Sequence, residues 1–216
     1  MPLNPSKGNM YDWITHTWNP IKGRCYHDCS YCYMKRWGKQ NPVHLDEKDL
    51  NTDHGQDNFI FVGSSCDMFA QDIPEEWIRR VLEKCTEDNQ YLFQTKNPEN
   101  IRRILTYQSR VCVTIETNRI YDEIMRNSPQ PYERVYHSML IRQPLYITIE
   151  PIMDFDMEIM VRWMDELKPV QINIGADSGN NHLPEPSGDK VRQLIRELIM
   201  LGLKVKKKAN LNRLLQ

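Results

Sequence analysis

Short apolar runs alternate with helix-period patterns along most of this chain. The runs Phe59–Val62, Tyr91–Gln94, Val111–Ile115, Leu145–Ile149 and Val170–Ile174 predict strands. Ile14–Trp18 and Leu203–Lys207 form a less regular pair at either end. Between them, apolar residues recurring at three- and four-residue steps predict helices over Glu75–Cys85, Pro98–Leu105, Tyr132–Ile141, Met157–Leu167 and Gly188–Leu201. The first of these follows Pro74, a residue suited to the first turn of a helix. Strands alternating with helices imply repeated βαβ units and a parallel sheet. Six or seven such units in 216 residues would curl into an open, partial α/β barrel, short of a full barrel of about 250 residues. No low-complexity tract or linker interrupts the pattern, so residues 1–216 read as a single domain.

Composition narrows the class. The chain is 40% hydrophobic and 26% charged, ordinary for a globular protein with a sizeable core. A net charge of −1 gives no global field for nonspecific nucleic-acid binding. No stretch approaches the ~18 apolar residues that span a bilayer. The N-terminus lacks the apolar core of a secretory signal, so no membrane association and a cytoplasmic location are expected. Six cysteines without such a signal read as reduced thiols. Cys85 and Cys112, in a predicted helix and strand, read as small buried hydrophobes.

The densest chemistry lies in Gly23-Arg-Cys-Tyr-His-Asp-Cys-Ser-Tyr-Cys-Tyr-Met34, where Cys25, Cys29 and Cys32 have the spacing C-x3-C-x2-C. Three thiolates can hold three irons of a [4Fe-4S] cluster and leave one iron free to bind a small molecule and pass it an electron. Three thiolates with His27 could instead form a closed zinc site. Zinc sites usually pair two short hooks across a longer loop, and no second pair follows here.

Parallel α/β barrels carry their chemistry on loops after the strand C-termini. After the second strand come Gly63, Ser64, Ser65, Cys66 and Asp67. The glycine permits close backbone approach, and the serines and aspartate offer acceptors for an ammonium group, or alternatively a turn with a helix cap. The third strand ends at Gln94-Thr-Lys96. The fourth and fifth end alike, in Thr114-Ile-Glu116 and Thr148-Ile-Glu150. Alternation places Thr114 with Glu116 on one face, and Thr148 with Glu150. Such carboxylates could hold a ribose diol or a polar substrate, or merely cap the following helices. The sixth strand runs into Gly175-Ala-Asp-Ser-Gly179, small enough for a flat base to lie against backbone. Cys66 on that face could donate a hydrogen atom to a product radical or ligate a further group, or could be another small buried residue. In the last strand, alternation puts Lys207 with Leu203 and Val205 on the apolar face, and Lys204, Lys206 and Lys208 toward solvent. A lysine there could meet an anionic substrate group. A slip of one residue would give the position to Lys208, and a solvated basic edge strand is the alternative.

The cysteine spacing resembles that of the radical S-adenosylmethionine (SAM) superfamily. Trp13-Ile-Thr-His-Thr-Trp-Asn-Pro-Ile-Lys-Gly23, Gly63-Ser-Ser-Cys-Asp67, Gln94-Thr-Lys96, Ile149-Glu-Pro151 and Gly175-Ala-Asp-Ser-Gly179 together are similar to one phage-associated branch, the Gp37/Gp68-like DUF5131 family. That family more often has glycine before the first cysteine, where Arg24 stands here. The resemblance implies an open partial barrel of radical SAM type and a [4Fe-4S] cluster on Cys25, Cys29 and Cys32. It also implies S-adenosyl-L-methionine, cleaved to a 5′-deoxyadenosyl radical that takes hydrogen from a substrate. Tyr31, Gly63, Ser64, Ser65, Asp67, Lys96, Thr114, Glu116, Glu150 and Gly175 are the expected cofactor-binding positions, with Glu116 favoured for the ribose. An electron donor such as flavodoxin or ferredoxin is implied, and a small anionic substrate, nucleotide-like or derived from nucleic acid, is expected at Lys207 or Lys208, the latter being the family's lysine position. Two other classes stay open: a zinc-stabilised binding module, and an acid–base α/β-barrel enzyme using Glu116 and Glu150.

Overall fold

The structure is a computed structural model and describes residues 3–7, 11–101 and 109–216. Its strands in chain order are β1 Asn4–Pro5, β2 His16–Trp18, β3 Ile21–Lys22, β4 His44–Leu45, β5 Phe59–Val62, β6 Gln90–Thr95, β7 Ser109–Thr114, β8 Leu145–Ile149, β9 Gln171–Ile174 and β10 Val205–Lys207. The helices are α1 Glu47–Leu50, α2 Glu75–Leu82, α3 Pro98–Ile101, α4 Asp122–Met125, α5 Pro131–Ser138, α6 Met157–Leu167, α7 Gly188–Met200 and α8 Asn212–Leu215. Among the described residues, eight strands form one open sheet in the order β1-β2-β5-β6-β7-β8-β9-β10. All its neighbours pair in parallel except the edge ribbon β1–β2. This is the predicted open partial α/β barrel, with the seven parallel strands expected from the apolar runs.

The predicted helices α6 and α7 stand within a residue of their expected ends. Helix α2 stops at Leu82, three residues early, and Pro74 precedes it as the cap rather than opening it. Helix α5 starts one residue early, with Pro131 in its first turn, and ends at Ser138, three residues short of the expected Ile141. The second half of the expected 98–105 helix lies outside the described residues. No helix among the described residues is long and apolar enough to cross a membrane.

The strands alternate cleanly between two faces. Ile60, Val62, Tyr91, Phe93, Val113, Ile147 and Ile172 face outward into the main core, under Ile78, Val81, Met160, Met164, Val191, Leu194 and Leu198 of the helices. The opposite face lines the barrel interior. Its lower half holds a second cluster, Phe61, Leu92, Cys112 and Tyr146, covered by Tyr11 and Ile14 of the N-terminal segment. Tyr11 stacks on Trp13 at 5.3 Å and completes this plug. Two residues further along the same face the character changes to Gln94, Thr114, Thr148 and Asn173. The interior is thus closed by apolar side chains at one end and polar at the other.

Between β3 and β4, which pair as a short antiparallel ribbon, the chain makes the excursion that carries the cysteines. Gly23 starts it with φ +107°, and a side chain there would meet the carbonyl of Pro42 at 2.5 Å. Only glycine accommodates both the conformation and the close approach.

Candidate functional site

Continuing the inward alternation past each strand end gives a layer of six residues at the mouth: Gly63, Lys96, Glu116, Glu150, Gly175 and Lys208. A cleft of about 780 Å³ opens above them. Four of the six line it, as do all three cysteines of the loop and Cys66. The exceptions are Glu116, which is fully buried behind the others, and Gly175, which the Glu150 carboxylate covers.

The cysteine loop is two successive turns, with Asp28 N–H donating to Cys25 at 3.2 Å and Cys32 N–H to Cys29 at 3.2 Å. It rests on the segment around α4: Ser30 N–H donates to Ile124, Asn127 N–H to His27, and the Asn127 side chain to Tyr26 at 2.9 Å. His27 is buried, and its Nε2 lies 2.8 Å from Asp67 Oδ2. The imidazole is therefore committed to Asp67 through this nitrogen. The same Asp67 accepts from Thr95 Oγ1 at 2.9 Å, Lys96 N–H at 2.8 Å and Phe69 N–H at 3.0 Å. Burial pushes its carboxyl up, but His27 and these amides outweigh that and hold it below the usual carboxylate range.

Among the described residues, no three His, Cys, Asp or Glu side chains gather as they would around one metal ion. The three thiols all line the cleft, spread along the loop. A polynuclear cluster that takes one thiolate per iron suits such a spread set better than a mononuclear zinc site does. Cys25 and Cys66 titrate together, their interaction lowering the Cys25 thiol and raising that of Cys66. Burial raises Cys32.

The turn after β5 is organised by Asn19, whose Oδ1 accepts from Ser64 Oγ at 3.0 Å, Ser65 N–H at 3.0 Å and Ser65 Oγ at 3.1 Å. Tyr33 reaches across to donate to the Ser64 carbonyl at 3.0 Å. Gly63, Ser64, Ser65 and Asp67 thus stand together on the cleft wall facing the cysteines.

Glu116 sits in a closed ionic network. Its Oε2 accepts from Arg134 at 2.6 Å, and both side chains are wholly buried. Its Oε1 accepts from the Tyr31 hydroxyl and lies 3.4 Å from Lys96 Nζ. Arg134 also donates to the carbonyls of Pro129 at 2.7 Å and Thr114 at 2.9 Å. Desolvation works against the Glu116 carboxylate, but Arg134 and Lys96 prevail and hold it ionised. Burial, then the Glu116 charge, pushes the Tyr31 hydroxyl up. Lys96 Nζ lies 5.1 Å from the Tyr31 ring centre, so Tyr31 and Glu116 together aim the ammonium into the cleft. A carboxylate committed in this way offers little for proton transfer, which removes one half of the acid–base pair expected from Glu116 and Glu150.

Glu150 does line the cleft. Its Oε2 meets Lys208 Nζ at 2.5 Å and its Oε1 accepts from Asn210 at 2.8 Å. It lies across Gly175, where a side chain would meet its Oε1 at 2.5 Å. The space above Gly175, expected for a flat base, is therefore filled by this carboxylate. Lys208 also lies 4.8 Å from the Tyr11 ring centre. Lys207 is exposed on the other face and outside the cleft, so the expected facing of the last strand is reversed. The face carrying Lys206 and Lys208 turns inward, Lys206 pairing with Asp12 at 3.1 Å. On the outer face Leu203 and Val205 pack on the core, and Lys207 passes beyond that cover.

Arg134, Asn19 and Asn210 were not singled out from the sequence. Arg134 had a readable signal: Pro131, Arg134, Val135 and Ser138 form the buried stripe of α5, and a cation on that stripe requires a buried anion. Asn19 and Asn210 act through loop geometry, which periodicity does not encode.

Replacing Arg134 by Met should lower stability at pH 7 by about 3–5 kcal/mol, because it strands a buried carboxylate. The Glu116 pKa is depressed in the native fold, so its stabilisation is present above the unfolded value of about 4.3 and is lost as pH falls through the lower folded value. The deficit of Arg134→Met should accordingly be smaller at about pH 3, below that unfolded value, than at pH 7 in urea unfolding. An equal deficit at both would assign it to lost packing instead.

Among curated proteins none matches the chain. Among solved structures, a cysteine-to-alanine variant of spore photoproduct lyase aligns with a TM-score of 0.64 over 94% of this chain and 81% of that one, at 11% identity. A double variant of the lyase with bound AdoMet and dinucleoside spore photoproduct gives 0.59 over 90% of this chain, at 12% identity. A cysteine-to-serine variant gives 0.60 over 81%, at 14% identity. The chain spans 65% and 58% of the length of the last two. At such identities the likeness is one of fold, the open partial barrel of parallel strands. A family model described as a protein of unknown function (DUF5131) matches residues 9–187, more than four fifths of the sequence, and the chain belongs to that family.

Proposed function

We propose that the protein is a radical SAM enzyme. The observation that carries this reading is that Cys25, Cys29 and Cys32 all line one cleft at the C-terminal ends of parallel strands, with the loop's imidazole committed to Asp67. Cys25, Cys29 and Cys32 would hold a [4Fe-4S] cluster. When bound, that group supplies the electron that cleaves SAM to a 5′-deoxyadenosyl radical. The rest is the work of the chain itself. Gly63, Ser64 and Ser65 present a turn that can accept from an ammonium group, its shape fixed by Asn19. Lys96 offers a cation for a carboxylate, with Glu116 and Tyr31 as positioning residues behind it. Thr114 and Glu150 form the floor, with Gly175 beneath the Glu150 carboxylate. Cys66, buried beside Cys25, is the candidate hydrogen-atom donor. An electron donor of the flavodoxin or ferredoxin kind and a cytoplasmic setting, in a bacterial or phage-infected cell, belong to the same reading.

The substrate reading is a small anionic, nucleotide-like molecule whose anion meets Lys208. Two facts favour it: Lys208 lies in the cleft against Glu150, and the lyase of similar fold binds a dinucleoside.

After anaerobic reconstitution, Cys25→Ala, Cys29→Ala and Cys32→Ala should each lose stoichiometric iron and sulfide with far-ultraviolet circular dichroism unchanged. Cys85→Ala and Cys112→Ala should keep both. Wild type given SAM and dithionite should release 5′-deoxyadenosine. A full cluster in all three loop variants would overturn the ligand assignment.

Asp67→Asn should lower iron retention, since the cysteine loop loses its anchor to β6. Retention equal to wild type would reduce Asp67 to a local turn residue. For the substrate, nucleotides that raise SAM cleavage in wild type should do so in Lys207→Ala and fail in Lys208→Ala. Identical enhancement in all three proteins would refute the anion site.

A further inference from the structure

The cleft mouth is crossed by a single turn of 3-10 helix, Tyr33–Trp37, that follows directly on Cys32. Tyr33 ties it to Ser64 after β5, and Arg36 Nη2 ties it to the Ser178 carbonyl after β9 at 3.1 Å. Lys35 holds it to Asp28 at 2.8 Å, and the Gln40 side chain closes its end on the Gly38 carbonyl at 3.1 Å. The strap is therefore fixed at both sides of the mouth, yet it ends in Trp37, which is 77% exposed. Tyr33 is 48% exposed at its other end. A loop residue left free to choose would not hold an indole in water on a segment pinned this firmly, because apolar burial is favourable.

Cations outnumber acids around the strap. Lys7, Arg24, Lys35, Arg36, Lys96 and Lys208 line the cleft, against Asp28, Asp67, Glu150 and Asp177. Each of those acids is already engaged. Asp28 is paired with Lys35 and Arg126, Asp67 with His27, and Glu150 with Lys208. Asp177 accepts from the Gly179 amide at 2.9 Å and from the Asn181 side chain at 2.6 Å. Among the described residues Lys7, Arg24 and Arg36 have no carboxylate within ion-pair distance, and Lys39 beside the strap has none either. A chain of net charge −1 thus gathers uncompensated cations at its cleft mouth, next to an exposed indole.

We propose that this rim binds a single-stranded nucleic acid, with Trp37 stacking on a base and Arg24, Arg36 and Lys39 holding the flanking phosphates. Cations with an aromatic platform suit a strand whose bases are unstacked, because stacking needs a free base face and the cations follow the backbone. An acidic peptide would use the cations and leave the indole without a planar partner. The inference rests on the radical SAM reading only for its functional sense, that the strand offers one nucleotide to the cleft; the binding surface stands on its own observations.

The test is fluorescence anisotropy of the reconstituted protein with labelled 12-mer single-stranded DNA and RNA, the matching duplex, and a glutamate-rich peptide. The single strands should bind more tightly than duplex or peptide. Trp37→Ala should weaken them at least about fivefold, in line with the loss of one stacked base. Arg24→Gln should weaken binding and reduce the slope of log affinity against log salt by about 0.7, the share of one phosphate contact on a single strand. Neither side chain makes a hydrogen bond within the protein, so both variants should fold, which unfolding midpoints would verify. Equal affinity in wild type and both variants, peptide binding as tight as the strands, or no strand binding at millimolar protein would overturn the proposal. Iron content and 5′-deoxyadenosine are read on the same Trp37→Ala sample. Strand binding without iron would sink the radical reading and keep the surface, and SAM cleavage without strand binding would do the reverse.

Discussion

One carboxylate ties the cysteine loop to the barrel. Asp67 receives the His27 imidazole from the loop, the Thr95 hydroxyl and Lys96 amide from the end of β6, and the Phe69 amide from its own turn. Taking a carboxylate out of water costs several kcal/mol, and such a cost is offset only where its lone pairs are fully used. Here four donors use them, two from side chains and two from backbone. Because those donors come from three separate segments, the charge can be satisfied in only one mutual arrangement of loop, turn and strand. The position of Cys25 and Cys29, on either side of His27, follows from that arrangement.

A second buried carboxylate organises the opposite wall by the same physics. Glu116 has Arg134 behind it and Lys96 with Tyr31 in front. The buried Arg134 balances the anion from the helix layer, so Lys96 is not consumed as its sole counter-ion and keeps a face toward the cleft. Charge at the mouth is therefore set from inside the protein. The matching Thr-Ile-Glu ends of β7 and β8 diverge for this reason. Glu116 has a cation beneath it and withdraws, while Glu150 has Lys208 and Asn210 beside it and stays at the surface of the cleft.

The strands were legible because a parallel sheet covered by helices writes apolar runs into the chain. Phe59–Val62 and Leu145–Ile149 fall where those runs end. The cysteine loop was legible from spacing alone, and two residues of the mouth layer from the alternation that sets Glu116 with Thr114 and Glu150 with Thr148. The two-residue ribbons β1, β3 and β4 were not, since two residues have no period. The facing of β10 was misread because Leu203 and Val205 pack outward under α7, whereas apolar residues on an edge strand suggest the interior. Glu116 and Glu150 have the same local sequence, so their different burial depends on Arg134, eighteen residues away on another element.

The two halves of the barrel interior explain why one end can host chemistry and the other cannot. At the lower end Phe61, Leu92, Cys112 and Tyr146 are sealed by Tyr11, Trp13 and Ile14. Water is excluded there, and burial pushes the Cys112 thiol up to about 12, leaving it protonated. Above the plug, Tyr11 donates to Gln94 at 2.8 Å and Gln94 to Thr114 at 3.1 Å, a short polar chain that grades the apolar floor into the charged mouth. A ligand entering between Lys96 and Lys208 meets fixed dipoles over a dry base. Electrostatic contacts gain strength in such a setting because no solvent reorganises around them. The alternation that builds the core under the helices also aims each strand's next inward residue at one rim, so the site is a consequence of the sheet's register.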